Sequence, residues 1–452
     1  MAENGLATDK TTTQNPIFYG WFIVGILCLV SIIDGGFTYT FSTFLKPLTE
    51  EFGWSRAETA TAFSLYLLIG GIVLPVWGWL VDRLGARGVF LLSALIDGVA
   101  LLFLSAVQSL ASYYAWYLLL GIGLAGIGPM PVGKVVTQWF VAKRGLAMGI
   151  ALVGASGGGL VLVPLCGFLI AEFSWRVAYQ ALAVLSLGIM FPLVWFFVVN
   201  RPEEKGLEPL GQHNASQGVS QKPRVAFTEG ATEAPAAATL ESRDWTLKEA
   251  LSAPTFWLLG VAFGLGLMAA GAVHTHQVAF LQDAGQSLEL ASTITGVSLG
   301  MSMVGRFAAG WVSELFPYPH YILAVSLLMQ AVGIGMLLSL DSFGVVGLAL
   351  FVALFGLGYG GMIVLWPLTV GHDFGRQAFG AIAGVLGTIG LSFGGASGPI
   401  IAGAIYDTTG SYYWAFLGCI VILLVGGGAA VAAPELRAVR VGAQSVPSRG
   451  PS

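Results

Sequence analysis

The chain has 452 residues, of which 56% are hydrophobic and only 10% are charged, and its mean hydropathy is +0.80. An ordinary soluble domain carries roughly 25% charged residues, so this composition excludes a water-soluble surface. The formal net charge of −4, with no large basic cluster along the chain, excludes the electrostatic footprint of a nucleic-acid-binding protein.

Twelve apolar runs follow one another along the chain, and each is long enough to cross a bilayer as a helix. A hydrocarbon layer about 30 Å thick needs roughly 20 helical residues. The runs of the first half are Phe18–Phe44, Ala57–Val81, Val89–Val107, Tyr113–Val136, Leu146–Ala171 and Val177–Val199. Those of the second half are Thr255–Leu281, Ala291–Ser313, Tyr321–Leu340, Val345–Val370, Phe379–Tyr406 and Tyr412–Ala433. The sequence therefore predicts an all-α membrane protein with twelve transmembrane helices in two six-helix halves.

Polar segments divide the chain into five parts. Residues 200–251 are rich in Glu, Ala, Gln, Pro and Ser and poor in aromatic residues, a composition typical of a disordered linker. Its end, Asp244–Leu251, predicts a short interfacial helix. We expect an N-terminal tail (1–17), a first half (18–199), the linker, a second half (252–433) and a C-terminal tail (434–452). Cys28, Cys166 and Cys419 lie in apolar runs, so they indicate packing rather than disulfides or a metal site.

Basic residues set the expected orientation, because Lys and Arg near span ends stay on the cytoplasmic side. With the N-terminus inside, most of them are cytoplasmic, and only Lys46, Arg56 and Arg176 face outward. The sequence thus predicts a multi-pass protein of the cell membrane with both termini and the linker in the cytoplasm.

The two halves repeat at a nearly constant offset in sequence number. Seven glycine or proline positions of spans four and five recur in spans ten and eleven at one fixed offset: Gly121, Gly123, Gly126, Gly145, Gly149, Gly159 and Pro164 return as Gly356, Gly358, Gly361, Gly380, Gly384, Gly394 and Pro399. Gly78 and Trp79 recur as Gly310 and Trp311 at a slightly smaller offset. Two parallel six-helix repeats around a central site are a transporter architecture.

The loop after span two reads Gly-Trp-Leu-Val-Asp-Arg-Leu-Gly-Ala-Arg from Gly78 to Arg87. It resembles the signature loop of the major facilitator superfamily, Gly-x-x-x-Asp-Arg-x-Gly-Arg-Arg, with Ala86 in place of one Arg. The alternative is an ordinary cytoplasmic loop that carries positive charge. The resemblance implies the fold of that superfamily and a gating role for Gly78, Asp82, Arg83, Gly85 and Arg87.

Within that superfamily the chain resembles the monocarboxylate porter family, including its bacterial lactate and oxalate/formate members. The matching stretches are Phe52–Glu58, Trp139–Gly149, Gly356–Gly361 and Gly398–Tyr412. Span eleven lacks the Lys that oxalate/formate antiporters use for a dicarboxylate, and Thr43 stands near the place of a first-span Lys found in some animal members. A monovalent anion therefore fits better than oxalate.

Arg306 in span eight is one of few ionisable residues at bilayer depth, where such a group costs at least a few kcal/mol. Its repeat counterpart is Leu74, so the charge belongs to one half only. A guanidinium holds a carboxylate bidentately, and the resemblance implies that Arg306 binds the carboxylate of the substrate. The alternative is a structural charge neutralised by a neighbouring helix.

Three further side-chain types are candidates for the site. His274 and His276 lie roughly 200° apart around a helix, so both cannot face one cavity, and the resemblance favours His276 as a substrate-binding and proton-carrying residue. Asp34 in span one is the second candidate for the proton. Tyr39 and Tyr359 can donate hydrogen bonds to an anion. Each of these residues could instead serve packing.

Two other charged residues within the spans are not expected to bind the solute. Lys134 in span four is expected to extend toward the cytoplasmic surface. Asp97 lies in the peripheral third span, and we expect no transport role for it.

The leading hypothesis is secondary active transport of a small monocarboxylate with a proton, by a monomer without cofactor or metal. One alternative is efflux of amphipathic organic compounds, which 13 Trp and 28 Phe would favour. Anion exchange and a non-transporting membrane sensor are the others. The sequence shows no nucleophile–base arrangement, metal-ligand cluster or phosphate loop, so an enzyme is not expected.

Overall fold

The computed structural model describes residues 18–140, 143–210, 245–316, 318–375 and 378–433. Both predicted tails and residues 211–244 of the predicted linker lie outside the described residues. Within the described ranges the chain forms helices and no β-strand. The prediction of an all-α membrane protein is therefore confirmed.

The helices of the first half follow the predicted spans closely. They are α1 (Tyr19–Phe52), α2 (Arg56–Ile72), α3 (Leu74–Leu104), α4 (Leu110–Leu124), α5 (Pro129–Trp139), α6 (Arg144–Glu172), α7 (Trp175–Val184) and α8 (Phe191–Phe197), with a π-helical stretch at Leu185–Met190 between the last two. A short 3₁₀ turn follows at Pro202–Lys205.

The second half begins with a short helix that leads into the seventh span. Its helices are α9 (Leu247–Ser252), α10 (Pro254–Asp283), α11 (Leu288–Leu315), α12 (Pro319–Leu338), α13 (Leu340–Phe374), α14 (Phe379–Thr388), α15 (Ala396–Thr409) and α16 (Tyr413–Ala432), with a π-helical stretch at Ile389–Gly395 between α14 and α15. The helix predicted at the end of the linker is α9, which begins with a capping box formed by Thr246 and Glu249.

Nine helical stretches of the described residues are long and apolar enough to cross a membrane. The three remaining predicted spans differ in form. Span two runs through α2 into the start of α3, span four is broken between α4 and α5, and span eight is α11. With these included, the described chain accounts for twelve membrane-crossing segments.

Local sequence explains where spans one to three end. Gly53 closes α1 in the left-handed conformation, with φ of 69°, and Ser55 and Glu58 form a capping box that starts α2. Inside α3, Gly85 has φ of 73° and ψ of 164°, so the chain turns there from span two into span three. A side chain with a Cβ is strained at such a φ, which accounts for the glycine of the loop motif.

The sequence repeat is also a repeat in packing. A Cβ on Gly121 would collide with the backbone of Tyr66, and one on Gly356 would collide with the backbone of Ser298. The two glycines are related by the offset of spans four and ten, and their two partners by the slightly smaller offset of spans two and eight. Helices of both halves thus approach closely at equivalent glycines, as small residues permit in membrane proteins.

The two ends of the membrane domain differ in how the halves meet. We call the end that carries the Gly78–Arg87 loop the Asp82 face, and the opposite end the Asp283 face. At the Asp283 face α15 touches α2, because a Cβ on Gly403 would lie 2.7 Å from Ala57 Cα. Toward the Asp82 face, a Cβ on Gly149 or Gly384 would have no atom of another described helix within 4 Å. The halves are therefore closed together at the Asp283 face.

Candidate functional site

A cavity of about 90 Å³ lies between the two halves. Tyr39 and Phe63 line it from the first half, and His274, Tyr359 and Leu391 line it from the second. Both repeats thus contribute to one central space, which is where transporters built from repeats place their solute.

Three ring-bearing residues form what we call the central cluster: Tyr39, His274 and Tyr359. The hydroxyl groups of Tyr39 and Tyr359 are 3.1 Å apart and join the halves by a hydrogen bond. The His274 ring packs edge-on to both tyrosines, with centroids 5.5 Å from Tyr39 and 4.7 Å from Tyr359. The structure therefore brings together the two predicted tyrosines, but with His274 rather than His276.

Among the described residues, one ring nitrogen of His274 has a hydrogen-bond partner and the other has none. The Gln277 amide nitrogen lies 3.4 Å from His274 Nδ1. With that amide donating to Nδ1, a neutral ring carries its proton on Nε2. Nε2 is buried and has no hydrogen-bond partner within the described chain. His274 is thus prepared to donate a hydrogen bond to a group that the protein itself does not supply.

His276 lies outside the central cluster. It is fully buried, with Nδ1 3.0 Å from the Tyr412 hydroxyl and Nε2 2.9 Å from the Pro399 carbonyl oxygen. Both ring nitrogens are therefore engaged in joining α10 to α15 and α16. As expected, the two histidines point to different sides of α10. The one that lines the cavity is His274, whereas the sequence favoured His276 as the substrate-binding histidine.

Arg306 on α11 is half-buried beside the cluster and does not line the cavity. The residue before it, Gly305, packs on α13, where a Cβ would collide with the backbone of Leu357, two residues before Tyr359. Its Nε atom is buried and unpaired among the described residues, and none of their ion pairs includes Arg306. A cation without a counter-charge at this depth is a place where an anion gains both Coulomb energy and hydrogen bonds.

Asp34 lies on α1 one helical turn before Thr38, which lines the cavity. The Asp34 side chain is half-buried and belongs to none of the ion pairs among the described residues. Thr38 itself is hydrogen-bonded to the Tyr66 hydroxyl at 2.7 Å. The structure therefore places the predicted carboxyl near the cavity without a counter-charge.

The signature loop lies at the Asp82 face, away from the cavity, and the contacts described for it are with the first half and with Asn200 at the start of the predicted linker. Asp82 pairs with Lys134 at 2.6 Å, so Lys134 does extend toward this loop. Arg83 lies over the Trp79 ring at 4.2 Å. The Arg87 backbone N–H donates to the Asn200 side chain at 2.9 Å, close to Gly85. Gly78 lies in α3, one turn before Asp82.

At the Asp283 face, charges join the two halves. Asp283 lies 3.0 Å from Lys46 Nζ and 3.4 Å from Arg56 Nη2. Asp407 accepts hydrogen bonds of 2.9 Å from the backbone N–H groups of Arg56 and Ala57, at the start of α2. Sequence reasoning missed these pairs, although Arg56 and Asp407 lie in stretches that resemble the porter family.

Comparison with known proteins adds a family to this geometry. The family model described as Major Facilitator Superfamily matches residues 27–391. The chain is 24% identical to the oxalate:formate antiporter of Oxalobacter formigenes over 398 residues, which cover 84% of this chain and 85% of the relative. It is 25% identical to monocarboxylate transporter 11 of Mus musculus over 433 residues, with coverages of 90% and 86%. An uncharacterized MFS-type transporter of Bacillus subtilis (strain 168), YcxA, is 24% identical over 427 residues, with coverages of 89% and 92%.

Solved structures share the fold. A bacterial homolog of the human lysosomal transporter Spinster, in an inward-facing and occupied conformation, superposes with a TM-score of 0.69 at 17% identity, covering 93% of this chain and 97% of that one. The nucleoside transporter NupG, in a mutant form, gives a TM-score of 0.69 at 13% identity, with coverages of 91% and 99%. Both likenesses concern the fold alone.

Proposed function

Because the chain belongs to the Major Facilitator Superfamily, we propose that it carries a small monocarboxylate across the membrane by alternating access, together with a proton. The carboxylate binds Arg306, and the central cluster holds the rest of the solute. The halves then rock against each other around this site and open it to each side in turn.

The unpaired Arg306 guanidinium beside the central cluster is the observation that carries the proposal. A planar guanidinium matches the two oxygens of a carboxylate, and the protein supplies no competing acid among the ion pairs of its described residues. The Tyr39 and Tyr359 hydroxyls and His274 Nε2 offer further hydrogen bonds. A space of about 90 Å³ favours a small acid over a bulky amphipathic compound.

Asp34 supports coupling to a proton. Its carboxyl lies near the cavity and forms no ion pair with another described residue, so it can take up a proton when an anion binds nearby. An anion that enters with one proton is electroneutral, which avoids a penalty of about 2.3 kcal/mol per charge per 100 mV of membrane potential. The names of two relatives, a monocarboxylate transporter and an oxalate:formate antiporter, support an organic anion as the solute.

The test is uptake by purified protein in liposomes, with labelled formate, lactate, pyruvate and oxalate as the panel. We expect uptake of a monocarboxylate to quicken when the outside is acidified and to exceed uptake of oxalate. Equal uptake at all proton gradients, with stimulation by carboxylate inside the vesicle, would indicate exchange. Absence of flux for the whole panel, with inhibition of dye efflux by amphipathic compounds, would favour the efflux alternative.

A further inference from the structure

One large groove in the second half has no part in the proposal above. It lies between α11 and α13, has a volume of about 720 Å³ and is lined mostly by apolar residues. It opens on the outer surface of the helix bundle, because Leu290 and Val297 on α11 are 46% and 43% exposed and Val345 on α13 is 81% exposed. Ligand pockets typically measure about 300 to 1,000 Å³, so the groove is large enough to hold a bound molecule.

The backbone of α11 and α13 forms the groove. Nearer the Asp82 face the two helices touch, because a Cβ on Gly356 would collide with the backbone of Ser298 and one on Gly360 with that of Ser302. Toward the Asp283 face, Gly344 has φ of 51° and ψ of −130°, which turns the start of α13. A Cβ on Gly344 would have no atom of another described helix within 4 Å. The helices therefore diverge toward this face, and the groove is the space between them.

The first half fills the corresponding place with its own aromatic side chains. Tyr114 on α4 donates its hydroxyl to the Glu58 carbonyl on α2 at 2.9 Å. Trp54 packs on the buried ring of Tyr113, with centroids 5.3 Å apart. At the offsets that relate the two repeats, Trp54, Tyr113 and Tyr114 return as Gln286, Leu348 and Ala349, which all line the groove. The second half thus lacks the side chains that close this space in the first half.

The groove is as long as one leaflet of a bilayer is thick. Its lining on α11 extends from Leu290 to Met301, which is about 16 Å at the rise of an α-helix. Half of a hydrocarbon layer about 30 Å thick is about 15 Å. The spans predicted from apolar length begin at Ala291 and Val345, so the groove also starts where the hydrocarbon starts. Its polar lining residues all belong to the turn after α10 or to the first two turns of α11 and α13, which places them at the mouth.

We propose that this groove binds one acyl chain of a phospholipid from the leaflet at the Asp283 face. The acyl chain enters at the polar mouth, and its methyl end reaches Met301 and Ala353. It occupies the space that Trp54, Tyr113 and Tyr114 fill in the first half, and it supplies the dispersion contacts that an empty groove would forfeit. The site is separate from the central cavity and does not depend on which solute the protein carries.

Photoactivatable phospholipids test the site in the unchanged protein. Purified protein is reconstituted into liposomes of phosphatidylcholine and phosphatidylglycerol, in which a small share of the phosphatidylcholine carries a diazirine on one acyl chain. Mass spectrometry then locates the labelled residues after illumination. We expect residues 290–301 and 345–353 to be labelled at least about threefold more than residues 421–431, an exposed stretch of α16 that reports contact with bulk lipid.

Filling the groove should remove this excess of label. Ala349→Tyr copies Tyr114 of the first half, so the repeat already accommodates a tyrosine at this position. We expect labelling of the groove to fall to the level of residues 421–431, while the melting temperature of the purified protein stays equal or rises. Val421→Tyr adds a tyrosine at a position of α16 that is 53% exposed, and this matched control should leave labelling of the groove unchanged. Ala349→Leu, a smaller filling, replaces the tyrosine variant if that variant does not fold.

Three results would overturn the site. The first is labelling of the groove in wild type at the level of residues 421–431. The second is labelling that persists in a stable Ala349→Tyr or Ala349→Leu protein. The third is an intermolecular disulfide formed in native membranes by a cysteine at position 349, in a protein without other cysteines, because a second copy of the chain would then cover the groove.

Discussion

The Asp283 face and the surroundings of the central cavity differ in whether their charged and polar groups have partners. At the face, Asp283 lies between Lys46 and Arg56, and Asp407 binds the first N–H groups of α2. Beside the cavity, Arg306 has no counter-charge among the described residues, and His274 Nε2 has no hydrogen-bond partner there.

This difference separates groups that hold a conformation from groups that hold a solute. Charges paired across the halves stabilise one arrangement of the protein and are satisfied without a ligand. A cation or a donor left unpaired at depth carries a cost that a bound anion removes. The predictions below test this division by exchanging or removing members of each set.

The largest effect is expected for Arg306. Arg306→Leu copies Leu74 of the first repeat and should abolish binding of the substrate acid, since loss of one partner of a buried charged pair costs about 2 to 5 kcal/mol, or at least about thirtyfold in affinity. Arg306→Lys keeps the charge but loses the planar fork, so transport should fall severely as well. The measurement is the shift in melting temperature of purified protein on adding the acid.

The structural alternative for Arg306 predicts the opposite pattern. A charge that merely stabilises the fold would, when removed, lower the melting temperature or the expression level and leave the affinity for the acid near normal. If adding the acid raises the melting temperature of Arg306→Leu as much as that of wild type, Arg306 does not bind the substrate.

The two histidines of α10 sharpen the comparison within one helix. His276→Ala leaves the Tyr412 hydroxyl and the Pro399 carbonyl buried without a partner, so stability should fall by about 1 to 3 kcal/mol while the affinity for substrate is kept. His274→Ala should do the reverse, since Nε2 has no hydrogen-bond partner among the described residues and Nδ1 has only the long 3.4 Å contact with the Gln277 amide to lose. Melting curves with and without substrate distinguish the two, and weak binding by a stable His276→Ala protein would restore His276 to the site.

A smaller effect is expected for Asp407, which joins α15 to the start of α2. Asp407→Asn removes a charge from a helix N-terminus, a change worth about 1 kcal/mol, so the Asp283 face should open a few times more often. A cysteine at Thr38, in a protein without other cysteines, should then react faster with an impermeant thiol reagent added at this face. Asp341→Asn, which changes an acid at the start of α13, is the control. Equal rates in both variants would show that Asp407 does not hold the face closed.

The last prediction concerns which side of the membrane each face is on, and its labelling experiment expects no change in stability or affinity. We propose that the Asp82 face is cytoplasmic, because the charge bias places Lys143 inside and Lys46 outside. Single cysteines at these positions can be labelled in intact cells. Reaction of position 46 only after permeabilisation would reverse the orientation and, with it, the direction in which the closed face points.

The fold could be predicted from the sequence because its causes are local and repeated. Apolar length fixes the spans, and the constant offset between glycines of the two halves reports close packing that recurs in each half. Helical geometry places His274 and His276 on different sides of α10. It does not say which of those two sides faces the centre of the protein. That depends on how α10 rotates against α15 and α16.

Contacts between the halves could not be predicted for the same reason. Arg56 and Asp407 lie 351 positions apart, and only the docking of one repeat on the other brings them together. The Tyr39–Tyr359 hydrogen bond is a similar case, since each tyrosine was a candidate in its own half without any signal that they meet. Sequence reasoning therefore identified members of the site more readily than their partners.

The chain between the halves is anchored at both ends of its undescribed part. The Leu210 N–H donates to the Trp139 carbonyl at 2.9 Å, and the Trp245 N–H donates to the Phe374 carbonyl at 3.1 Å. Residues 211–244 between these anchors could extend over roughly 110 to 120 Å. A segment that can reach so far does not fix one arrangement of its two ends, so covalent continuity does not dictate how the halves fit together. The protein is in effect two complementary pieces that recognise each other through their facing helices, and a chain cut within 211–244 should still assemble from its two fragments.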